Sequence, residues 1–156
     1  MLDTGLFEQV GEVVRGAAPR DPGEPRVQVR RNGVKVWYGS PDTAAREHYE
    51  AQIIDAEIAG SGSGARAFAV EIGFHAEHPK EADNDAALER LRAREGRWRP
   101  ELGEEAVAGA FLGRGSWRRV SETWPDPDLD DPDLAFDIGV RLVEYIRVLE
   151  ARNTAG

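Results

Sequence analysis

Histidine and carboxylate side chains that could act together chemically fall on two neighbouring strand-like runs of this sequence. These runs, Arg46–Ile58 and Ala65–Ala76, are joined by the glycine-rich tip Gly60–Gly64. Apolar and other residues alternate along the second run, which predicts a half-buried strand with Glu71 and His75 on its polar face. The partner strand is expected to add three polar residues to that face: His48, Glu50 and Gln52.

A transition-metal site is one function that these residue types could support. Imidazole nitrogens and carboxylate oxygens suit zinc or manganese, and the candidates are Glu71, His75, Glu77 and His78. The chain has only 3 histidines, and their spacing matches no specific zinc signature. The sequence therefore favours the simpler interpretation, in which these groups are solvated or singly hydrogen-bonded and bind neither a metal nor a cofactor.

Magnesium-dependent phosphodiester hydrolysis is a second alternative. The predicted order of helix, strand meander, helix and strand resembles the restriction-endonuclease-like core, in which a carboxylate and a Glu-x-Lys pair bind magnesium and activate water. The catalytic candidates would then be Glu50, Glu71 and His75. The matching strand has no lysine two positions after Glu71, so the favoured prediction is that the chain has no catalytic residues.

Two further patterns have a structural and a functional interpretation. Trp37, Tyr49 and Trp117 could wall a small-ligand pocket between sheet and helices, although aromatic residues on strands are more often part of the core.

The aspartates of the loop 125–133 include Asp126, Asp128 and Asp130, whose alternate spacing invites calcium. The run lacks the central glycine and the distal glutamate of the usual calcium loop. The alternative that the sequence favours is helix capping, with Asp131 as N-cap and Pro132 at the first helical position.

Composition limits the fold and the partners. With 156 residues, of which 40% are hydrophobic, the chain predicts a single domain over residues 1–156. The net charge of −9 opposes sequence-independent binding to nucleic acid or to an anionic membrane. The absence of cysteine excludes disulfides and thiolate metal sites. The N-terminus does not have a signal-peptide pattern, and no apolar run is long enough for a membrane span, so a cytoplasmic location is expected.

Five further segments complete the predicted fold. A first helix, capped by Asp3 or Thr4, is followed by a hairpin that turns at Asn32-Gly33. A middle helix capped by Asp83 or Asn84 should end or kink at Pro100.

The segment Ala106–Leu112 is alanine-rich like a helix but short and apolar like a strand, and with Trp117–Thr123 it is predicted to form a second hairpin. A broad apolar helix from about Pro132 to Arg152 closes the chain. Together these elements predict an α+β fold, with an antiparallel sheet of four to six hairpin strands packed by N-terminal, middle and C-terminal helices.

The latter half of the chain resembles a bacterial domain-of-unknown-function family found beside restriction-type nuclease regions. The matching features are Phe68–Ile72, the helix from Leu88 to Gly103, the strand Trp117–Val120, the acidic loop and the closing amphipathic helix. The resemblance implies an α+β accessory domain and assigns no catalytic residues to positions of this chain. Combined with the acidic charge and the wide apolar last helix, it predicts a non-catalytic protein-binding or self-associating module, such as a homodimer.

Overall fold

A computed structural model describes residues 5–20, 23–44, 46–55 and 68–150. Two sequence predictions lie outside these ranges. They are the capping role of Asp3 or Thr4 and the hairpin tip Gly60–Gly64.

The described residues form an α+β fold, which confirms the predicted class. The helices are α1 (Gly5–Ala17), α2 (Pro41–Ala44), α3 (Glu81–Arg92), α4 (Glu95–Leu102) and α5 (Leu134–Leu149). The strands are β1 (Arg26–Arg30), β2 (Gly33–Trp37), β3 (Glu47–Asp55), β4 (Phe68–Ala76), β5 (Val107–Phe111) and β6 (Arg114–Pro125). The six strands form one antiparallel sheet in the order β1-β2-β3-β4-β6-β5.

One face of the sheet carries the hydrophobic core. Strand alternation places Ala51 of β3 and Ile72 of β4 on this face, and both are fully buried. Helix α5 covers these two strands, helix α1 packs on β1 and β2, and the two helices also pack against each other. At this helix contact a Cβ on Gly139 would lie 2.6 Å from Cβ of Val13, so the glycine permits the close approach.

The first hairpin forms where the sequence predicted it, but its turn is shifted. Arg30 pairs with Gly33, so Arg31 and Asn32 form the loop and Gly33 begins β2. Gly33 allows β3 to approach closely, because an added Cβ at this position would lie 2.8 Å from the backbone oxygen of Ala51. The shift moves the register by an even number of residues, so each side chain keeps its predicted face.

The middle helix is interrupted, contrary to the prediction. α3 ends at Arg92 and α4 begins at Glu95, while Pro100 lies inside α4 two residues before its end. Asn84 lies within α3 and does not cap it. Its side chain accepts a hydrogen bond from the amide of His78 at 2.6 Å and donates to the carbonyl of Ser116 at 2.9 Å, fastening the end of β4 to β6.

The C-terminal part contains one correct and one incorrect prediction. The ambiguous segment after Ala106 is a strand, β5, which pairs with β6 and confirms the second hairpin. The last helix begins at Leu134 with Asp133 in the N-cap position, so Asp131 and Pro132 precede it. Asp131 instead accepts a hydrogen bond from the amide of Asp133 at 2.9 Å. No helix in the described ranges is both long and apolar enough to cross a membrane.

Candidate metal centre

Two central strands position a polar cluster on the sheet face opposite the core. β3 and β4 are antiparallel neighbours, and their register pairs His48 with His75 and Gln52 with Glu71. Because side chains alternate along a strand, all four lie on the face away from the helices that cover Ala51 and Ile72.

A repeated sequence, His-x-Glu, accounts for the shape of the cluster. It occurs once in β3, as His48-Tyr49-Glu50, and once at the end of β4, as His75-Ala76-Glu77. The strands run in opposite directions and the two histidines are paired, so the glutamates lie on opposite sides of the histidine pair. We call His48, Glu50, His75 and Glu77 the four-ligand cluster.

The ligand atoms of the cluster alternate between nitrogen and oxygen. Nε2 of His48 lies 3.0 Å from Oε1 of Glu50 and 3.4 Å from Oε2 of Glu77. Nδ1 of His75 lies 3.2 Å and 3.4 Å from the same two oxygens. One ligand atom from each residue falls within 4.8 Å of all the others. Ligands bound to one ion at about 2.0–2.2 Å are themselves roughly 3.0–3.5 Å apart, so these four atoms have the spacing of a single coordination shell.

The cluster is almost completely removed from solvent. His48, Glu50 and His75 expose 1%, 7% and 0% of their surface, and the Glu77 side chain exposes 14%. Ionisable groups are seldom buried this deeply unless opposite charge, hydrogen bonds or a metal ion compensates the loss of water.

One nitrogen in the cluster has no hydrogen-bond partner in the described part of the chain. It is Nδ1 of His75, which is buried and close to two carboxylate oxygens without the geometry of a hydrogen bond to either. The other ring nitrogen, Nε2, lies 2.7 Å from Oε2 of Glu71. When Nε2 donates its proton to Glu71, the neutral ring presents a lone pair at Nδ1, as a metal ligand does.

Glu71 has the role of an orienting group rather than that of a ligand. It receives a second hydrogen bond, from Nε2 of Gln52 at 2.9 Å, and is 1% exposed. A carboxylate that holds the outer nitrogen of a histidine is a common second partner at metal sites, where it fixes the tautomer and the ring orientation.

The pKa values of Glu71 and His75 depend on their burial and on the contact between the two groups. Burial opposes ionisation of both groups, but the mutual attraction outweighs it, so the pKa of Glu71 is lowered and the pKa of His75 is raised well above its usual value. Glu50 and Glu77 behave similarly. Burial would raise their pKa values, yet the contacts with His48 and His75 hold the pKa of Glu50 far below its usual range and lower that of Glu77 to about 2. Both carboxylates are therefore ionised at neutral pH.

Gly73 lies between Glu71 and His75 on β4 and is required by the neighbouring strand. Its φ angle is 154°, and an added Cβ would lie 2.3 Å from the carbonyl oxygen of Val120 in β6. A residue with a side chain would push β6 away from β4 beside the cluster.

The structure places the residues singled out from the sequence in different surroundings. Glu50 and His75 belong to the four-ligand cluster, whereas Glu71 contacts His75 from outside it. His78 is not a member, because its Nε2 pairs with Glu47 at 2.7 Å. Glu77, a candidate ligand from the sequence, is a member of the cluster. The paired His-x-Glu motifs on adjacent strands are the signal that would have added His48 to the ligand set.

Two of the aromatic residues proposed as pocket walls, Tyr49 and Trp117, lie on opposite faces of the sheet. Tyr49 is buried on the helix side, where its hydroxyl donates to Glu150 at 3.0 Å. Trp117 contacts Phe111 at a ring distance of 5.5 Å and lies under Arg114. Trp117 and Arg119 are two residues apart on β6, so their side chains lie on the same face, which is that of His75, the register partner of Arg119. Trp117 therefore lies on the face opposite to Tyr49.

Comparison with protein-family models, with curated proteins and with solved structures found no match to this chain. The resemblance of the latter half to a domain-of-unknown-function family therefore stays a prediction, and function has to be argued from the geometry.

Proposed function

We propose that this protein is a metal-binding domain in which the four-ligand cluster holds one divalent transition-metal ion. The observation that carries the proposal is the buried Nδ1 of His75, which faces the carboxylates of Glu50 and Glu77 without a hydrogen bond. A metal ion at the centre would use this lone pair together with the three other ligand atoms.

A cluster of salt bridges between protonated histidines and glutamates is the competing explanation. In such a cluster each ring N–H should point at a carboxylate oxygen, as His48 Nε2 does towards Glu50 at 3.0 Å. Nδ1 of His75 does not meet that condition. Burial opposes protonation of His75, but the carboxylates of Glu71, Glu50 and Glu77 raise its pKa well above the usual value, which favours a protonated ring when no ion is bound. A divalent ion would displace that proton and offset two of the three negative charges.

The donor set narrows the identity of the ion. Two imidazole nitrogens with two carboxylate oxygens suit Zn²⁺, Mn²⁺ and Fe²⁺, whereas Ca²⁺ and Mg²⁺ prefer oxygen alone. An ion that accepts six ligands would keep two positions for water or for a substrate, which is the requirement for Lewis-acid chemistry. The donor set therefore favours a transition-metal centre, with Glu71 positioning His75, over the magnesium-dependent hydrolysis considered from the sequence.

Metal content and thermal unfolding test the proposal directly. The purified protein should bind one Zn²⁺, Mn²⁺ or Fe²⁺ per chain by elemental analysis. At a hundred times its dissociation constant, the ion should stabilise the fold by about 2.7 kcal/mol, which raises the melting temperature of a chain of this size by roughly 5–11 °C.

His75→Ala and His78→Ala provide a matched pair for this experiment. His75→Ala should abolish both the bound metal and the rise in melting temperature, because it removes a ligand. His78→Ala removes a histidine close to the cluster that binds Glu47 instead, and should leave both unchanged. Equal metal binding by the two variants would refute the proposed centre.

A protein-binding or self-associating role is a second candidate, favoured by one surface of α5. Phe136 and Val140 lie one helical turn apart and expose 61% and 37% of their surface. The rest of the broad apolar surface of α5 is covered by α1, α4 and the sheet. If these two residues form an interface in the cytoplasm, where we expect the protein, sedimentation velocity should show an association that Phe136→Ser abolishes. A monomer at all concentrations would refute self-association.

A further inference from the structure

Cations of the first hairpin gather on the sheet face that carries the four-ligand cluster. The register places Lys35 beside Glu50, and it places Gln28 beside Lys35. Because side chains alternate, Arg26 and Arg30 lie on that same face of β1. Arg31 follows in the turn. We call these four residues the basic strip: Arg26, Arg30, Arg31 and Lys35.

The basic strip has no acidic partner among the residues that the structure describes. Even Lys35, the register neighbour of Glu50, forms no ion pair with it. Arginines on the helix side differ, as shown by Arg118, which pairs with Glu81 and Asp85 at 2.7 Å each. In a chain with a net charge of −9, four unpaired cations on one hairpin suggest that their counter-ion is a ligand.

A cavity connects the basic strip to the candidate metal centre. Its volume is about 280 Å³, and its lining includes Arg30 at the end of β1 and Arg31 in the turn, as well as the metal-ligand candidate Glu50. The lining residues are Arg30, Arg31, Asn32, Gly33, Glu50 and Gln52. At roughly 30 Å³ for each water molecule in the liquid, this space equals about nine water molecules and has room for a small anion.

We propose that this cavity binds a small oxyanion, a phosphate or carboxylate group, between the basic strip and the metal ion. The guanidinium fork of arginine matches the paired oxygens of both groups. The inference rests on the proposed function, because the ion offsets the carboxylates of Glu50 and Glu77 that would otherwise repel an anion at that end. It assigns Arg30 and Arg31 as the residues that select negative charge.

Isothermal titration of the metal-loaded protein with sodium phosphate, and separately with sodium succinate, tests the inference. At least one of the two anions should bind, and the stronger one identifies the class of oxyanion. The double variant Arg30→Gln with Arg31→Gln should weaken that binding tenfold or more and leave the metal content unchanged. The matched control is Lys80→Gln with Arg97→Gln, which removes two exposed cations that do not line the cavity and should keep the affinity within twofold.

Each contrary result overturns a defined part of the inference. If one metal ion binds per chain and neither anion produces heat, the oxyanion site is refuted and the metal centre stands. If both double variants weaken binding equally, net charge rather than the cavity governs the affinity, and the assignment of Arg30 and Arg31 is refuted. If the wild-type protein binds no metal, the proposed function fails first and the oxyanion inference fails with it.

Discussion

Two buried polar clusters lie on opposite faces of the same sheet, and they differ in how their carboxylates are satisfied. On the helix side, the Glu122 cluster consists of Glu122, Trp124, Arg141 and Tyr145. Oε1 of Glu122 accepts hydrogen bonds from Arg141 at 2.8 Å and Tyr145 at 2.7 Å, and Oε2 accepts from Arg141 at 3.1 Å and Trp124 at 2.7 Å. Every acceptor of this carboxylate is occupied by a donor of the chain itself.

The four-ligand cluster on the other face has an excess of acceptors. Its carboxylates face two imidazole rings, and Nδ1 of His75 makes no hydrogen bond there. A buried carboxylate surrounded by donors needs nothing further and is explained by the stability of the fold. A buried set of converging lone pairs is stabilised by a cation. Burial and charge alone therefore do not identify a functional cluster, whereas the balance of hydrogen-bond donors and acceptors does.

The greatest loss of stability is expected when the carboxylate of the Glu122 cluster is removed. Glu122→Ala removes a buried carboxylate and leaves Arg141, whose side chain is only 18% exposed, without its main partner; loss of one member of a buried pair costs about 3–5 kcal/mol. Thermal unfolding should show a melting temperature lower by roughly 6–20 °C. Glu144→Ala is the control, because Glu144 contacts the same arginine but its side chain is 41% exposed. That variant should lose less than about 1 kcal/mol, and an equal loss from the two variants would contradict the distinction.

The second prediction concerns the independence of the two clusters. No described hydrogen bond connects the Glu122 cluster with the four-ligand cluster. A saturating metal ion should therefore add about 2.7 kcal/mol to wild type and to Glu122→Gln alike, with agreement to about 0.5 kcal/mol. The measurement is the metal-induced shift of urea unfolding in both proteins. A shift that disappears in Glu122→Gln would show that the sheet couples its two faces.

A smaller effect is expected from Glu71, which orients His75 without belonging to the ligand set. Glu71→Gln keeps the shape of the side chain but removes the charge that holds Nε2 of His75 at 2.7 Å. Loss of such a partner weakens metal affinity by about 10–100-fold. Competition with a chelator of known affinity would measure the change. Complete loss of metal would instead make Glu71 a ligand, and unchanged affinity would remove its orienting role.

The smallest effect is expected for the pH dependence of the stability that the Glu122 cluster contributes. Burial opposes ionisation of Glu122, but hydrogen bonds from Arg141, Trp124 and Tyr145 outweigh it and lower its pKa. A carboxyl whose pKa is lower in the folded state stabilises the fold above its unfolded pKa, about 4.3 for glutamate, and loses that contribution as the pH falls through the folded pKa. The stability deficit of Glu122→Gln relative to wild type should therefore shrink between pH 7 and pH 3. A deficit that stays constant in urea unfolding over this range would exclude a charge effect.

The sequence predicted the sheet well because its signals are local. Alternation along β4 and the Asn32-Gly33 pair located two hairpins, since each signal lies within a few neighbouring residues. The break between α3 and α4 has no such signal. The residues Arg92-Ala93-Arg94 favour a helix, so tertiary packing must end it there.

The candidate site could be predicted only in part. Period-2 alternation placed Glu50, Glu71 and His75 on one face, but it does not show which ring nitrogen faces which carboxylate. Glu77 lies just beyond the end of β4, where alternation no longer determines the direction of a side chain. The roles of Glu71 and Glu77 therefore depend on three-dimensional contacts. Glu71 contacts Nε2 of His75, and Glu77 lies beside Nδ1 of the same ring.

The position of the cluster along its hairpin has a consequence for the unfolding of the chain. His48 and His75 pair next to Glu47 and Ala76, at the end of the β3–β4 ladder where the strands separate from each other. An ion that bound both His-x-Glu motifs would be a reversible cross-link across this open end. It would close a loop of the chain between residues 48 and 77. Such a clip lowers the entropy of the unfolded chain. It would also oppose fraying, so the amide hydrogens of these two strands would exchange with solvent most slowly when the ion is bound.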